Sequence, residues 1–282
     1  MSIHRYRNTI GGARITPNCT NAGGIWNLGE AAMYNSFYSN TVPSWPPQIA
    51  KTNFSLLDPV TLDMYFDAAL PESYPGTGTT WTDLSGNGYT GTLNNGPSFS
   101  SDNGGGIVFD GTNDGISTTY TANTGNKFTL AFWCKPTAVG QANGSDLGGK
   151  GYAATAPFAS FGIDYLSTSK FRYIVADNLT FSSTTGSNTC SINNIYYVVL
   201  AYGTGAGFGY VNINGVMTQD ASWFNTNDPA YNSQAFNIGY NPLSLANNYF
   251  TGTIFSCKLY STTLSLSRIQ QNFDAMRGRY GL

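Results

Sequence analysis

Only 10% of the 282 residues in this sequence are charged, so few side chains could perform chemistry. Hydrolysis of a glycosidic bond with retention requires two carboxyl groups about 5 to 5.5 Å apart. The only glutamates are Glu30 and Glu72, and neither lies in a predicted strand. Asp164 stands alone on its strand, and Asp110 and Asp114 lie in a turn. The sequence therefore predicts no catalytic carboxylate pair.

Nucleophilic catalysis lacks its base as well. The single histidine, His4, stands in a segment that we predict to be an extended arm. A Ser-His-Asp or Cys-His site needs a histidine beside its nucleophile. The glycine-rich stretches at 104–106 and 203–209 are not followed by the residues of a phosphate-binding loop. We therefore predict no catalytic residue and a protein that is not an enzyme.

Charge and hydropathy argue against other classes of function. A net charge of -2 and a pI of about 5.2 remove the electrostatic basis for binding nucleic acid. The sequence has no run of apolar residues long enough to cross a membrane. Its opening residues lack the apolar segment of a signal peptide. We expect synthesis in a cytoplasm without export, no membrane insertion and no nucleic-acid partner.

The sequence predicts short strands, which would position any functional side chains in the loops between them. The segment Phe208–Ile213 alternates in polarity and is followed by Asn214-Gly215, a signal for a type I′ hairpin. Ser265 and the apolar spacing after it predict a helix up to Arg277. We expect an all-β antiparallel sandwich of the jelly-roll type with this C-terminal helix. Its predicted strands are residues 62–66, 106–109, 128–135, 158–165, 170–175, 195–202, 207–213, 235–238 and 252–260.

Five motifs occur in the order of a known family. They are Trp81–Gly88, Ile107–Asp114, Phe128–Pro136, Tyr210–Gly215 and Leu259–Phe273. Together they resemble the laminin-G-like, concanavalin A-like lectin/glucanase jelly-roll domains, over residues 62–282. In this resemblance, residues 149–151 correspond to a loop after the central strand. The resemblance implies a concanavalin A-like jelly roll and sugar binding as a candidate activity.

Two further segments are similar to parts of tailed-phage structural proteins. The ending at residues 272–282 resembles the C-termini of such domains in those proteins. Residues 24–30, together with the Trp-Pro-Pro at 45–47, resemble short segments of virion and fibre proteins. This resemblance implies a virion location and other virion proteins as partners.

Calcium is the one candidate cofactor, because relatives of this fold often hold Ca²⁺ through Asp and Asn side chains and backbone carbonyls. The chain has such hard oxygen donors in its predicted loops. The alternative is that these residues only form turns, as in Asp110-Gly111. The sequence leaves both interpretations open. The candidate ligands are Asp83, Asn87, Asp110, Asn113 and Asp114.

Aromatic side chains in loops are candidates for binding a glycan, since the apolar face of a sugar stacks on a ring. The alternative for each ring is that it covers an edge of the sandwich. As a group, rings among so many amide side chains favour an interaction surface. The candidate ligand-binding residues are Trp223, Phe224, Tyr231, Tyr240 and Tyr249.

The N-terminal segment, residues 1–57, differs from the domain predicted at residues 58–282. Its candidate helix is too short to be stable alone and must pack on something else. Prolines after it form an extended spacer. We predict that this segment docks on a partner. The candidate assembly residues are Trp26, Leu28, Tyr34 and Trp45.

These observations predict a non-enzymatic structural protein of a phage virion. Its arm would attach it to the particle, and its jelly roll would act as a fibre, decoration or adhesion module. We expect copies of the chain to associate, and a host surface glycan is the candidate ligand. The alternative is a freestanding, calcium-dependent, lectin-like protein.

Overall fold

The structure, a computed structural model, describes residues 9–10, 13–14, 61–122, 124–141, 144–151, 160–176, 181–203, 205–224, 229, 233–242 and 248–282. The chain divides into two units, Met1–Leu57 and Asp58–Leu282. In the first unit, β1 (Thr9–Ile10) pairs antiparallel with β2 (Ala13–Arg14). The predicted assembly residues of this unit, Trp26, Leu28, Tyr34 and Trp45, lie outside the described residues.

The second unit is built from two antiparallel sheets. The first sheet contains, in spatial order, β16 (Val216–Phe224), β15 (Ala206–Ile213), β14 (Tyr196–Gly203), β9 (Lys127–Pro136), β18 (Thr251–Tyr260), β7 (Gly106–Asp110) and β6 (Ser98–Ser100), and β3 (Leu62–Asp67) pairs with β18. The second sheet contains β13 (Phe181–Thr185), β12 (Phe171–Ala176), β11 (Ser160–Tyr165), β10 (Ser145–Lys150), β17 (Phe236–Ile238), β8 (Gly115–Thr118), β5 (Thr90–Asn94) and β4 (Thr80–Thr82). The predicted all-β sandwich with a concanavalin A-like fold is confirmed.

Alternation along the strands creates the core between the sheets. In β12, Phe171, Tyr173 and Val175 face the core, so the residues between them face outward. The two sheets meet through aromatic contacts such as that of Phe128 in β9 with Phe161 in β11, whose ring centroids are 4.2 Å apart. Each buried ring of this kind stabilises the fold by about 1.5–3 kcal/mol.

The outer face of the first sheet is covered by the predicted C-terminal helix, α1 (Leu266–Arg277), and a 3-10 turn after it. Ser265 caps the helix, since its hydroxyl accepts a hydrogen bond from the Arg268 amide at 3.4 Å. Trp133 of β9 stacks on Phe273 and Tyr280, with centroids 5.6 Å and 4.2 Å away. Among the described residues, no helix covers the outer face of the second sheet, and none is long and apolar enough to cross a membrane.

One predicted loop is a strand. Residues 149–151 were expected to form a loop, but β10 extends to Lys150 and pairs with both β11 and β17. Its glycines resemble a turn in sequence, yet Leu147 is fully buried in the core. The pairing partners on both sides therefore fix this segment as a strand.

Candidate functional site

A row of outward-facing side chains crosses the second sheet. Thr185 of β13 lies opposite Arg172 of β12, which lies opposite Asp164 of β11. Asp164 lies opposite Asp146 of β10, and Asp146 forms a parallel bridge with Tyr249. Because directly paired residues project from the same face of a sheet, these five residues form one line.

Two carboxyl groups in this row lie on neighbouring strands. Asp164 was expected to stand alone, but the strand register places Asp146 directly opposite it. Arg172 donates hydrogen bonds to Asp164 Oδ2 from Nε at 3.0 Å and from Nη2. Asp164 and Asp146 are only 0% and 2% exposed. A side chain at Gly144 would collide with Asp164 and Arg172, so the Gly144 backbone lies tightly against this pair.

Next to Asp146, two of the predicted ligand-binding tyrosines form a stacked pair. The rings of Tyr240 and Tyr249 are nearly parallel, at 14°, with centroids 6.1 Å apart, and both residues are half-buried. Gly239 makes the bend that brings them together. Its amide donates to the Leu147 carbonyl and its carbonyl accepts from the Phe250 amide, both at 2.9 Å. Its φ of +81° and the Phe109 ring, 2.3 Å from where a Cβ would lie, favour glycine here.

The Tyr240 ring rests on the bare backbone of Gly115 in β8. A Cβ at this position would lie 2.3 Å from Tyr240 Cδ1, so any side chain would displace the ring. Burial raises the pKa of the Tyr240 hydroxyl, and a hydrogen bond with the Ser117 side chain opposes that rise. The hydroxyl is therefore neutral at physiological pH and able to donate a hydrogen bond.

Polar side chains share the outer face of the second sheet with the stacked rings. Thr92, Ser117 and Asn237 lie opposite one another on three neighbouring strands. Asn94 Nδ2 donates to Ser117 Oγ at 2.9 Å, and Asn237 Nδ2 donates to the Ala235 carbonyl at 2.9 Å. Hydroxyl and amide groups beside aromatic rings can bind the hydroxyls of a sugar stacked on those rings.

The structure places the predicted calcium ligands in two groups rather than one. Asp83 and Asn87 follow β4, near the start of β5, where Thr82 pairs with Thr90. Asp110, Asn113 and Asp114 precede β8, near the other end of β5, where Asn94 pairs with Gly115. The four residue steps along β5 separate the groups by roughly 13 Å. One site that uses all five residues is therefore not formed.

Within each group the polar atoms form turn and loop contacts. Asp83 Oδ1 accepts from the backbone amides of Tyr65 and Ser85 at 2.8 Å and 2.9 Å. Asp110 Oδ1 accepts from the Thr112 amide at 2.7 Å, and the Asp110 amide donates to Asp114 Oδ2 at 2.9 Å. The hydrogen bond from the Thr112 amide is the main cause that lowers the pKa of Asp110. In the described parts of the chain, no three His, Cys, Asp or Glu residues are grouped to hold a metal ion.

The side chains of the other three predicted ligand-binding residues lie outside what the structure describes. Trp223 and Phe224 end β16, but their side chains are not among those described, and Tyr231 also lies outside the described residues. Sequence reasoning missed Asp146, Gly115 and Ser117, because only strand register and ring packing connect them to the tyrosines.

The chain belongs to the concanavalin A-like lectin/glucanases superfamily, whose family profile matches residues 110–270. No match was found among curated proteins.

Solved structures share the fold at low sequence identity. Domain 4 of AbnA, a GH43 extracellular arabinanase from Geobacillus stearothermophilus solved with arabinotriose, is 17% identical, with a TM-score of 0.55 over 75% of this chain and 97% of that one. A sialidase of Trypanosoma rangeli is 20% identical, with a TM-score of 0.56 over 76% of this chain and 33% of that one. The binding domain of botulinum neurotoxin DC in complex with SialylT is 11% identical, with a TM-score of 0.57 over 77% and 52%.

These similarities correct the prediction that the protein is not an enzyme. The structures with this fold include a domain of an arabinanase and sialidases as well as a toxin binding domain. One ground of the prediction was the lack of a carboxylate pair along any one strand. Pairing across strands, as between Asp146 and Asp164, is not visible in such a pattern. The domain is lectin-like, and its sequence alone does not exclude catalysis.

Proposed function

We propose that the second unit binds a glycan on the outer face of its second sheet. The observation that carries this proposal is the stacked pair of Tyr240 and Tyr249 beside Ser117 and Asn94. A sugar ring would stack on the tyrosines while its hydroxyls bond to the neighbouring polar groups. The arabinotriose complex and the SialylT complex of two structural neighbours support the choice of a glycan as ligand.

Replacement of either tyrosine tests this proposal. We expect Tyr240→Ala and Tyr249→Ala each to weaken glycan binding by about tenfold, equivalent to the loss of about 1.4 kcal/mol. The full chain is used, and bound glycans are identified on a glycan array and measured by calorimetry. The matched control is Phe208→Ala, which removes one ring of a stacked pair on the other sheet, 6.4 Å from Tyr210. Equal binding by all three variants would contradict the proposed site.

We further propose that the protein is a structural component of a tailed-phage virion. Residues 1–57 attach it to the particle, where copies of the chain assemble with other virion proteins, and the sandwich faces a host surface glycan. The support for this role is the similarity of residues 24–30, 45–47 and 272–282 to segments of such proteins.

Deletion of residues 1–57 tests this division of labour. The shortened chain is expected to keep the melting transition of the sandwich but no longer to sediment with phage particles. If it still assembled on particles, the docking role of the segment would be wrong.

A freestanding, calcium-dependent lectin is the competing proposal, with Asp83 and Asn87 or Asp110, Asn113 and Asp114 as ligands. It predicts that a chelator abolishes glycan binding and that calcium raises the melting temperature of a monomer. The virion proposal predicts a defined oligomer by light scattering, with or without calcium.

A further inference from the structure

The distribution of positive charge limits which glycan the proposed face can take. Every lysine and arginine of residues 58–282 belongs to the described residues. The gaps between the described ranges therefore contain no further lysine or arginine. Six of these cations lie on β9, β18, α1 or the turn after it, on the side of the first sheet: Lys127, Lys135, Lys258, Arg268, Arg277 and Arg279.

The three cations associated with the second sheet are bonded to other groups. Lys150 Nζ donates to the carbonyls of Thr121 and Ala122, both at 2.9 Å, and Lys150 is buried. Lys170 Nζ donates to the Ser187 carbonyl at 3.1 Å. Arg172 pairs with Asp164 at the far end of the row from Tyr249.

One acidic residue, Asp146, lies next to the rings and disfavours a negatively charged ligand there. Asp146 is bridged to Tyr249, between that ring and the Arg172–Asp164 pair. An anionic sugar stacked on the tyrosines would bring its carboxylate close to Asp146. The carboxylate would lose hydration without gaining a charge-assisted hydrogen bond, because the lysines and arginines described in residues 58–282 lie on the side of the first sheet or are bonded to other groups.

We propose that this face selects a neutral glycan, built from hexoses or N-acetylhexosamines, and rejects glycans with sialic acid, uronic acid or phosphate on the stacked residue. The inference rests on the proposed glycan-binding function. Hydroxyl and amide groups at Ser117 and Asn94 suit the neutral hydroxyls of such a sugar.

The test uses the full chain on an array that pairs each neutral glycan with its sialylated form, such as N-acetyllactosamine and sialyl-N-acetyllactosamine. For every glycan whose binding is lost in Tyr240→Ala but kept in Phe208→Ala, we expect the neutral form to bind at least about tenfold more tightly. Its Kd should change less than about twofold between 50 and 500 mM NaCl, because no ion pair forms.

The possible results separate the two proposals. Binding of a sialylated or uronic acid glycan that depends on Tyr240 and equals or exceeds its neutral partner would overturn the neutral selection while supporting the proposed function. Glycan binding that is unaffected in Tyr240→Ala, or no binding to any glycan, would overturn the proposed site and the inference with it.

Discussion

At the scale of single residues, two glycines determine where the candidate ring pair stands. Gly239 turns the chain out of β17, and Gly115 leaves the space that the Tyr240 ring occupies. Neither residue contributes a side chain to the site. Their role follows from close approach of backbone and ring, a relation that composition and spacing do not reveal.

Gly115→Ala is expected to displace the Tyr240 ring and to weaken glycan binding by about tenfold, as the loss of one stacking contact would. Calorimetric titration of the full chain with the bound glycan measures the effect. Gly278→Ala is the matched control, because a Cβ there meets no atom within 4 Å and its φ of -60° suits alanine. Unchanged affinity in the Gly115 variant would show that the ring position does not matter for binding.

At the scale of elements, a buried ion pair fastens the C-terminal segment to the first sheet. Arg279 Nη1 donates to Asp67 Oδ1 at 2.8 Å, and its Nε and Nη2 donate to the Asn103 and Gly105 carbonyls, both at 2.6 Å. Both side chains are 1% exposed. Removal of the arginine would leave Asp67 as a buried carboxylate without this partner.

Arg279→Ala should therefore lower the free energy of unfolding by about 3–5 kcal/mol. Urea denaturation of the full chain measures it. The control, Arg268→Ala, removes an exposed arginine that bonds Gln271 on the same helix, and should change stability by less than about 0.5 kcal/mol. Similar stabilities for the two variants would contradict the role assigned to the buried pair.

The strands also show which elements can be predicted from sequence patterns and which cannot. Strands such as β9, β14 and β15 were predicted within a residue or two of their bounds, because their apolar and aromatic runs carry the signal themselves. Strand β10 was missed because Ser145–Lys150 is polar and rich in glycine, and only its neighbours make it a strand. Tyr240 and Tyr249 were found as loop aromatics, but their stacking depends on register and on the Gly239 bend.

At the scale of the whole molecule, buried titratable groups make stability depend on pH. Lys258 lies in β18 of the first sheet, with its Nζ 4.5 Å from the centre of the Tyr65 ring. Burial lowers the pKa of Lys258 to about 8, an effect that Asp67 partly opposes. Between pH 8 and 10.5 the unfolded chain binds more protons at this lysine than the folded one, so its unfavourable contribution disappears as pH rises.

We expect Lys258→Met to be more stable than the wild type at pH 7, with an advantage that shrinks by up to about 3 kcal/mol as pH approaches 10.5. Thermal and urea unfolding at a series of pH values measure the difference between the two proteins. Buried tyrosines and cysteines, whose pKa values are raised, titrate in both and cancel. A difference that does not vary with pH would contradict the assignment.

The central claim is that the outer face of the second sheet binds a glycan at the Tyr240–Tyr249 pair. Amide chemical-shift mapping of the ¹⁵N-labelled full chain during titration with a neutral oligosaccharide selected on the array tests it most directly. We predict that the largest shifts occur at Gly115, Ser117, Tyr240 and Tyr249. Shifts confined to the first sheet or to the helix that covers it would contradict the claim.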